Sequence, residues 1–336
     1  MFLADLWYFA LPSKRLKPGR TVGVTLLGEP LLLGRARDGR AFALAGLCPH
    51  RGVPLSRGRF DGGEIECCYH GWRFNTEGRC TTIPSLIDED CADLSRIHVK
   101  RYPCREVQGN LWVYFGKESA ALPELPTVPE IGESRPRIFE DMLFACNLDH
   151  AAVGLMDPAH RAFVHGSGWW RRAQAMRERA CQIEPIELGW RVGSHKTRDG
   201  YGLLGRETTA EITFRLPGVR VEHVKAGGGT LCHLTALTPV SDGETRVNHA
   251  VYWTAPGLSA LKPAIRASVR RMLREDRRIL ELQQAGLKRG PELMLIGDAD
   301  LQARWYYALK EGYAAARELG QSFRNPLKER SLAWRG

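Results

Sequence analysis

The rhythm of apolar and polar positions changes twice along this chain. Up to about Gly116 the apolar residues come in short runs at 22–27, 31–33, 42–44 and 111–115. Glycines and charged residues separate the runs, which predicts short strands in an all-β unit. Residues 1–11 are also apolar. They contain Asp5 and are followed by Lys14, Arg15 and Lys17 rather than small residues, so a first strand fits better than a secretion signal. Pro123, Pro126, Pro129 and Pro136 then crowd residues 118–137, a density that predicts an extended linker. The expected organisation is a first domain over 1–118, a linker over 119–137 and a second domain over 138–336.

Beyond the linker the pattern differs. Residues 142–164 are helix-compatible, with a break at Asp157-Pro158. Between Ile183 and Trp253 several runs alternate, at 211–216, 231–237 and 247–253, and these predict antiparallel strands. Helical patterns follow over 259–288 and 298–319. A sheet followed by long helices is an α+β arrangement.

Composition narrows the class. The 336 residues suit two domains, and a hydrophobic content of 43% supports ordinary cores. No apolar run is long enough for a membrane span. Nine cysteines, scattered and odd in number, point to a reducing cytoplasm rather than a disulfide framework. The net charge is +10, but Lys and Arg are dispersed and form no basic stripe interleaved with aromatics, so nucleic acid is not an expected partner. A solvated basic surface is the plain reading; attraction of an acidic partner protein is the functional one.

The candidate chemistry begins at Cys48-x-His50, followed after sixteen residues by Cys67-x-x-His70. Zinc also accepts two cysteines and two histidines, but zinc fingers put the cysteines together and the histidines together. Here each half supplies one of each. That suits a [2Fe–2S] cluster with cysteines on one iron and histidines on the other. Gly52 and Gly71 allow tight turns in both halves, and Trp72 can shield the site.

A second constellation is Asp157-x2-His160-x4-His165. Two histidines with a carboxylate from elsewhere form the facial triad that binds non-haem Fe(II) and leaves positions open for O2. Each histidine alone would read as a partly buried, hydrogen-bonded side chain. The pair, in one chain with the first motif, reads as metal-binding.

The first motif resembles the Rieske domain of the Rieske-type non-haem iron oxygenases, C-P-H-R-G then C-P-Y-H-G-W. It departs at Cys68, where that family usually has Pro. The second matches their mononuclear-iron motif, in which the two histidines are ligands. The resemblance gives Asp157 a separate role, bridging a cluster histidine to an iron histidine across a subunit boundary. A further departure is Gly154, where members often carry Asn; Asn147 lies upstream. Residues 274–284 resemble the E-D-x4-E-x-Q-Q stretch of vanillate demethylase-type enzymes and should hold the third ligand. Helical spacing puts Asp276 on a face with Ile265, Val269, Met272, Ile279 and Leu280, and Glu275 on a polar face with Ser268, Arg271 and Arg278. A carboxylate on an apolar face needs a partner or a metal. Asp276 is therefore the expected ligand, with a salt bridge to arginine as the competing reading, and Glu275 an ordinary surface acid.

The resemblance implies a helix-grip catalytic domain, a head-to-tail homotrimer, and electrons from NAD(P)H through a flavin-dependent reductase and/or ferredoxin. The short length resembles the α-only monooxygenase and demethylase group. It implies hydroxylation or oxidative demethylation of a small hydrophobic substrate, aromatic or polycyclic, sterol-like ones included. Aromatic-ring dihydroxylation, desaturation and pure electron transfer are the alternatives.

Overall fold

The computed structural model describes residues 2–87, 93–116, 122–165, 178–197, 208–297 and 300–335. Residues 118 and 119, where the first domain was expected to end, and Asp298, the expected start of the last helix, lie outside them. By contacts the chain divides into two units, Phe2–Leu125 and Pro126–Gly336.

The first unit is all-β. Its strands are β1 (Leu6–Pro12), β2 (Arg20–Leu26), β3 (Glu29–Arg35), β4 (Ala41–Ala45), β5 (Arg59–Phe60), β6 (Glu64–Glu66), β7 (Arg73–Asn75), β8 (Cys80–Thr82), β9 (Arg101–Tyr102), β10 (Cys104–Val107) and β11 (Asn110–Phe115). They form three sheets, ordered β1-β11-β10, β2-β3-β4-β9 and β5-β6-β7-β8. The apolar start is indeed a strand, and every residue of β1 is buried. Leu32, Phe42, Leu44, Leu55, Ile65 and Phe74 build one core, against which Trp72 packs.

The second unit is α+β. Its strands are β12 (Ile138–Phe144), β13 (Glu178–Ile186), β14 (Gly189–Thr197), β15 (Thr208–Arg215), β16 (Val219–Ala226), β17 (Gly229–Ser241), β18 (Glu244–Trp253) and β19 (Arg330–Arg335). They make one antiparallel sheet ordered β12-β18-β17-β16-β15-β14-β13-β19. Among the described residues its helices are α1 (Leu148–Met156), α2 (Arg161–Val164), α3 (Lys262–Leu287) and α4 (Leu301–Glu318). Residues 142–144, expected as helix, instead end β12, because Met142 and Phe144 pair with Val247 and Thr245 of β18. The expected helix from 259 begins later, at Lys262, after a short 3-10 turn over Pro256–Ser259.

Ion pairs and close packing hold the helices on the sheet. Glu140 of β12 is largely buried and pairs with Arg266 at 3.0 Å and Arg270 at 2.7 Å, which pins α3. Asp149 of α1 accepts from the Tyr306 hydroxyl at 2.7 Å and the Lys310 ammonium at 2.6 Å, tying α1 to α4. Tyr306 and Trp305 belong to an aromatic core with Trp190 and Phe214. Gly154 lets α1 approach α3: a Cβ there would lie 3.2 Å from Leu280 Cδ2. Asn147 caps α1 by accepting from the Asp149 N–H and donates to the Asp242 carbonyl.

Two candidate metal centres

The cluster motif occupies two loops of matching backbone. Gly52 N–H donates to the Cys48 carbonyl at 2.9 Å and Cys48 N–H to the Val53 carbonyl at 2.9 Å. In the other loop Gly71 N–H donates to the Cys67 carbonyl at 3.0 Å and Cys67 N–H to the Trp72 carbonyl at 2.8 Å. Both glycines have φ of 70°, a left-handed conformation that a side chain would strain. The repeated turn sets Cys48 and Cys67 at corresponding places, with the histidine two residues on in one loop and three in the other.

The donor set converges. Cys48 and Cys67 are buried, whereas Cys68 is exposed. The His50 and His70 ring centroids lie 4.7 Å apart. Burial pushes the Cys48 thiol up to about 11, and the adjacent Cys67 thiol pushes the same way. His50 Nδ1 is buried with no hydrogen-bond partner. A buried nitrogen without a hydrogen-bond partner, on a ring close to a second histidine, is costly unless an ion satisfies it. The residues therefore fit a two-iron cluster held by these four side chains.

The second centre is built around α2. Pro158 ends α1 at Asp157, whose Oδ1 accepts from Ala159 N–H at 2.8 Å and turns the chain into the next helix. His160 and His165 flank the four residues of α2, with ring centroids 5.2 Å apart. Asp276 comes from the middle of α3. Its Oδ1 lies 3.6 Å from His160 Nε2 and 3.2 Å from His165 Nε2. One ligand atom from each of the three residues falls within 4.8 Å of the others.

Hydrogen bonds on the far side of each ring decide what meets there. His160 Nδ1 lies 2.8 Å from the Asp157 backbone carbonyl, which can only accept. His165 Nδ1 lies 3.0 Å from Glu275 Oε2. With Nδ1 carrying the proton, a neutral ring turns the lone pair of Nε2 inward. Two lone pairs then face one carboxylate oxygen, and only a proton or a metal cation relieves that arrangement. Burial opposes the charged form of His160, but Asp276 and Asp157 outweigh it and raise its pKa. The donor set fits a divalent metal with carboxylate and imidazole ligands.

Two expectations are corrected. Glu275 is not an ordinary surface acid: it is only partly exposed, bonded to His165 and, at 2.8 Å, to Arg271. A helical wheel could not show this, because His165 comes from a distant segment. Ile279, placed on the buried face of α3, is 45% exposed; Val269, Leu273 and Leu280 are the buried residues of the helix. The carboxylate of Asp157 also reaches His160 less closely than its own carbonyl does, with Oδ2 3.8 Å from Nδ1.

Comparison with known proteins follows this division. Residues 6–103 match the family described as the Rieske [2Fe-2S] domain, and residues 144–309 match the vanillate O-demethylase oxygenase C-terminal domain. The chain is 36% identical over 170 residues to the oxygenase subunit of 3-chlorobenzoate-3,4-dioxygenase from Comamonas testosteroni, covering 49% of this chain and 38% of that protein. It is 27% identical over 316 residues to 4β-methylsterol monooxygenase from Methylococcus capsulatus, covering 86% and 82%. The crystal structure of dicamba monooxygenase bound to dicamba has the same fold, with a TM-score of 0.74 at 20% identity over 94% of this chain and 99% of that one.

Proposed function

Because the chain belongs to the Rieske non-haem iron oxygenases, we propose that it is the oxygenase component of a multicomponent monooxygenase that hydroxylates or oxidatively demethylates a polycyclic, sterol-like or aromatic substrate. The observation that carries this is the convergence of His160, His165 and Asp276 in a chain that also brings Cys48, Cys67, His50 and His70 together. We assign the first set to a ferrous ion and the second to a [2Fe–2S] cluster. When bound, the cluster supplies single electrons and the ferrous ion supplies open positions for dioxygen.

The chain's own residues prepare both sites. Cys48 and Cys67, buried at the base of otherwise exposed loops, would supply the sulfur ligands. Trp72 covers His50, with ring centroids 4.5 Å apart. The Asp157 carbonyl holds the Nδ1 proton of His160 and so keeps Nε2 ready as a donor. Asp276 contributes the anionic ligand, and the ion pairs of Glu140 keep its helix in place. The Asp157 side chain, 39% exposed, is the residue we assign to the link with His70 of a neighbouring subunit in a homotrimer. An exposed apolar run at Leu293, Met294, Leu295 and Ile296 supports assembly, since a second copy would cover it. Electrons from NAD(P)H would enter through a flavin-dependent reductase and/or ferredoxin, whose acidic surface the net charge of +10 favours. No helix of the described residues is long and apolar enough to cross a membrane, and we place the enzyme in the cytoplasm.

The likeness to 4β-methylsterol monooxygenase along most of both chains supports a sterol-like substrate. The shorter match to 3-chlorobenzoate-3,4-dioxygenase favours a second reading, dihydroxylation of an aromatic acid. Reconstituted protein, supplied with a reductase and NADH, separates them. Oxygen-dependent oxidation of methylsterols supports the first reading and a diol from chlorobenzoate the second. An iron content of about two per chain rather than about three would overturn both.

A further inference from the structure

Glu275 and Asp276 are adjacent in α3, and both face the histidine pair, but they do different things there. Asp276 Oδ1 points at Nε2 of both rings. Glu275 Oε2 instead lies behind His165, 3.0 Å from Nδ1, while its Oε1 accepts from Arg271 Nε at 2.8 Å. We infer that Glu275 is the positioning residue of His165: anchored by Arg271, its carboxylate fixes the tautomer and rotation of the ring and strengthens Nε2 as a metal donor. The inference rests on the ligand set proposed above and adds a residue to it.

Three observations argue against a plain helix-surface pair. The two oxygens of Glu275 are divided between Arg271 and a ring 110 positions away in sequence, so the carboxylate spans two elements. Arg271 precedes Glu275 by four residues, the less favourable order for an ion pair on a helix, so helix stability does not account for it. The two histidines are also held unequally. His160 gives its Nδ1 proton to a neutral carbonyl, His165 to a carboxylate. An ionised carboxylate is a stronger hydrogen-bond acceptor than a carbonyl, so the two rings are held in place unequally.

The test is Fe(II) affinity, measured by chelator competition on full-length protein whose visible cluster spectrum shows that it is folded. Glu275→Ala should weaken Fe(II) binding about 10- to 100-fold and alter the electron paramagnetic resonance signal of the Fe(II)–nitric oxide adduct. Glu275→Gln keeps an oxygen for the Nδ1 proton and should recover most of the affinity. Arg271→Ala breaks the same ion pair but leaves the bond to His165, and should change affinity less than about threefold. Equal effects of Glu275→Ala and Arg271→Ala, or wild-type affinity and signal in Glu275→Ala, would overturn the positioning role. His165→Ala is the separate control: if it too bound Fe(II) like the wild type, the ligand assignment itself would fall.

Discussion

The imidazole of His50 lies flat against the indole of Trp72, with centroids 4.5 Å apart and planes within 8° of parallel. Its counterpart His70 is exposed, and the ring nearest to it in its own loop is the exposed Tyr69, at 3.8 Å. Two loops of matching backbone thus give their histidines unequal access to water. One is covered, and the other is open to a partner.

Removing that cover should make the cluster fragile. Trp72→Ala is expected to cost about 2 kcal/mol, below the usual range for a fully buried tryptophan, and to speed cluster loss. Trp72→Phe keeps a stacking ring and should lose the cluster at close to the wild-type rate. The decay of visible absorbance in air measures both. Equal decay in Trp72→Ala and the wild type would show that the stack does not protect His50.

The two turn glycines should differ. Alanine at either is strained by about 1 kcal/mol or more at this φ. A Cβ at Gly52 meets nothing within 4 Å, whereas at Gly71 it meets Pro84 Cγ at 3.1 Å. Gly71→Ala should therefore be the more damaging, read as cluster occupancy after reconstitution. The reverse order would contradict the packing seen around Pro84.

Asp276→Ala should leave the cluster spectrum intact, remove the mononuclear iron and abolish turnover. Iron analysis beside a spectrum is sufficient. Turnover surviving in this variant would end the assignment of Asp276 as a ligand.

Gly154→Val should destabilise the second unit by about 1–3 kcal/mol, because the new methyls press on Leu280 where α1 meets α3. A urea midpoint detects this. A midpoint at or above the wild-type value would mean that Leu280 yields without cost.

His249 sits in a buried chain, with Thr235 Oγ1 2.9 Å from its Nδ1 and His233 Nδ1 3.1 Å from its Nε2. Burial, with the neighbouring His233, lowers its pKa to about 3. The unfolded chain takes up a proton near pH 6.5 that the folded one refuses. Stability is therefore full above that pH and is lost as the pH falls from 6.5 toward 3, by at most about 1.4 kcal/mol per pH unit for this group. Chemical denaturation at pH 7 and pH 5 should show a smaller loss in His249→Gln than in the wild type. A larger or equal loss would show that another group carries the acid sensitivity.

The sequence by itself determined the parts whose physics is local. The Cys-His loops were legible because each turn needs its glycine within four residues of its cysteine. His160 and His165 were legible because one short helix separates them. Helical spacing set Asp276 apart from Glu275, but the two carboxylates are about equally buried and both reach His165, so the wheel alone did not separate them. The alternation at 211–216, 231–237 and 247–253 announced the strands, since side-chain direction in a strand is set residue by residue.

Tertiary structure decided what depends on meetings between distant segments. Residues 142–144 fit a helix until β18 supplied partners for their backbone. Glu275 looked like a surface acid because a helical wheel records which residues share a face, not what the face meets. Only the fold brings His165 within hydrogen-bonding distance of it, and that contact turns an exposed-looking carboxylate into part of the proposed iron site.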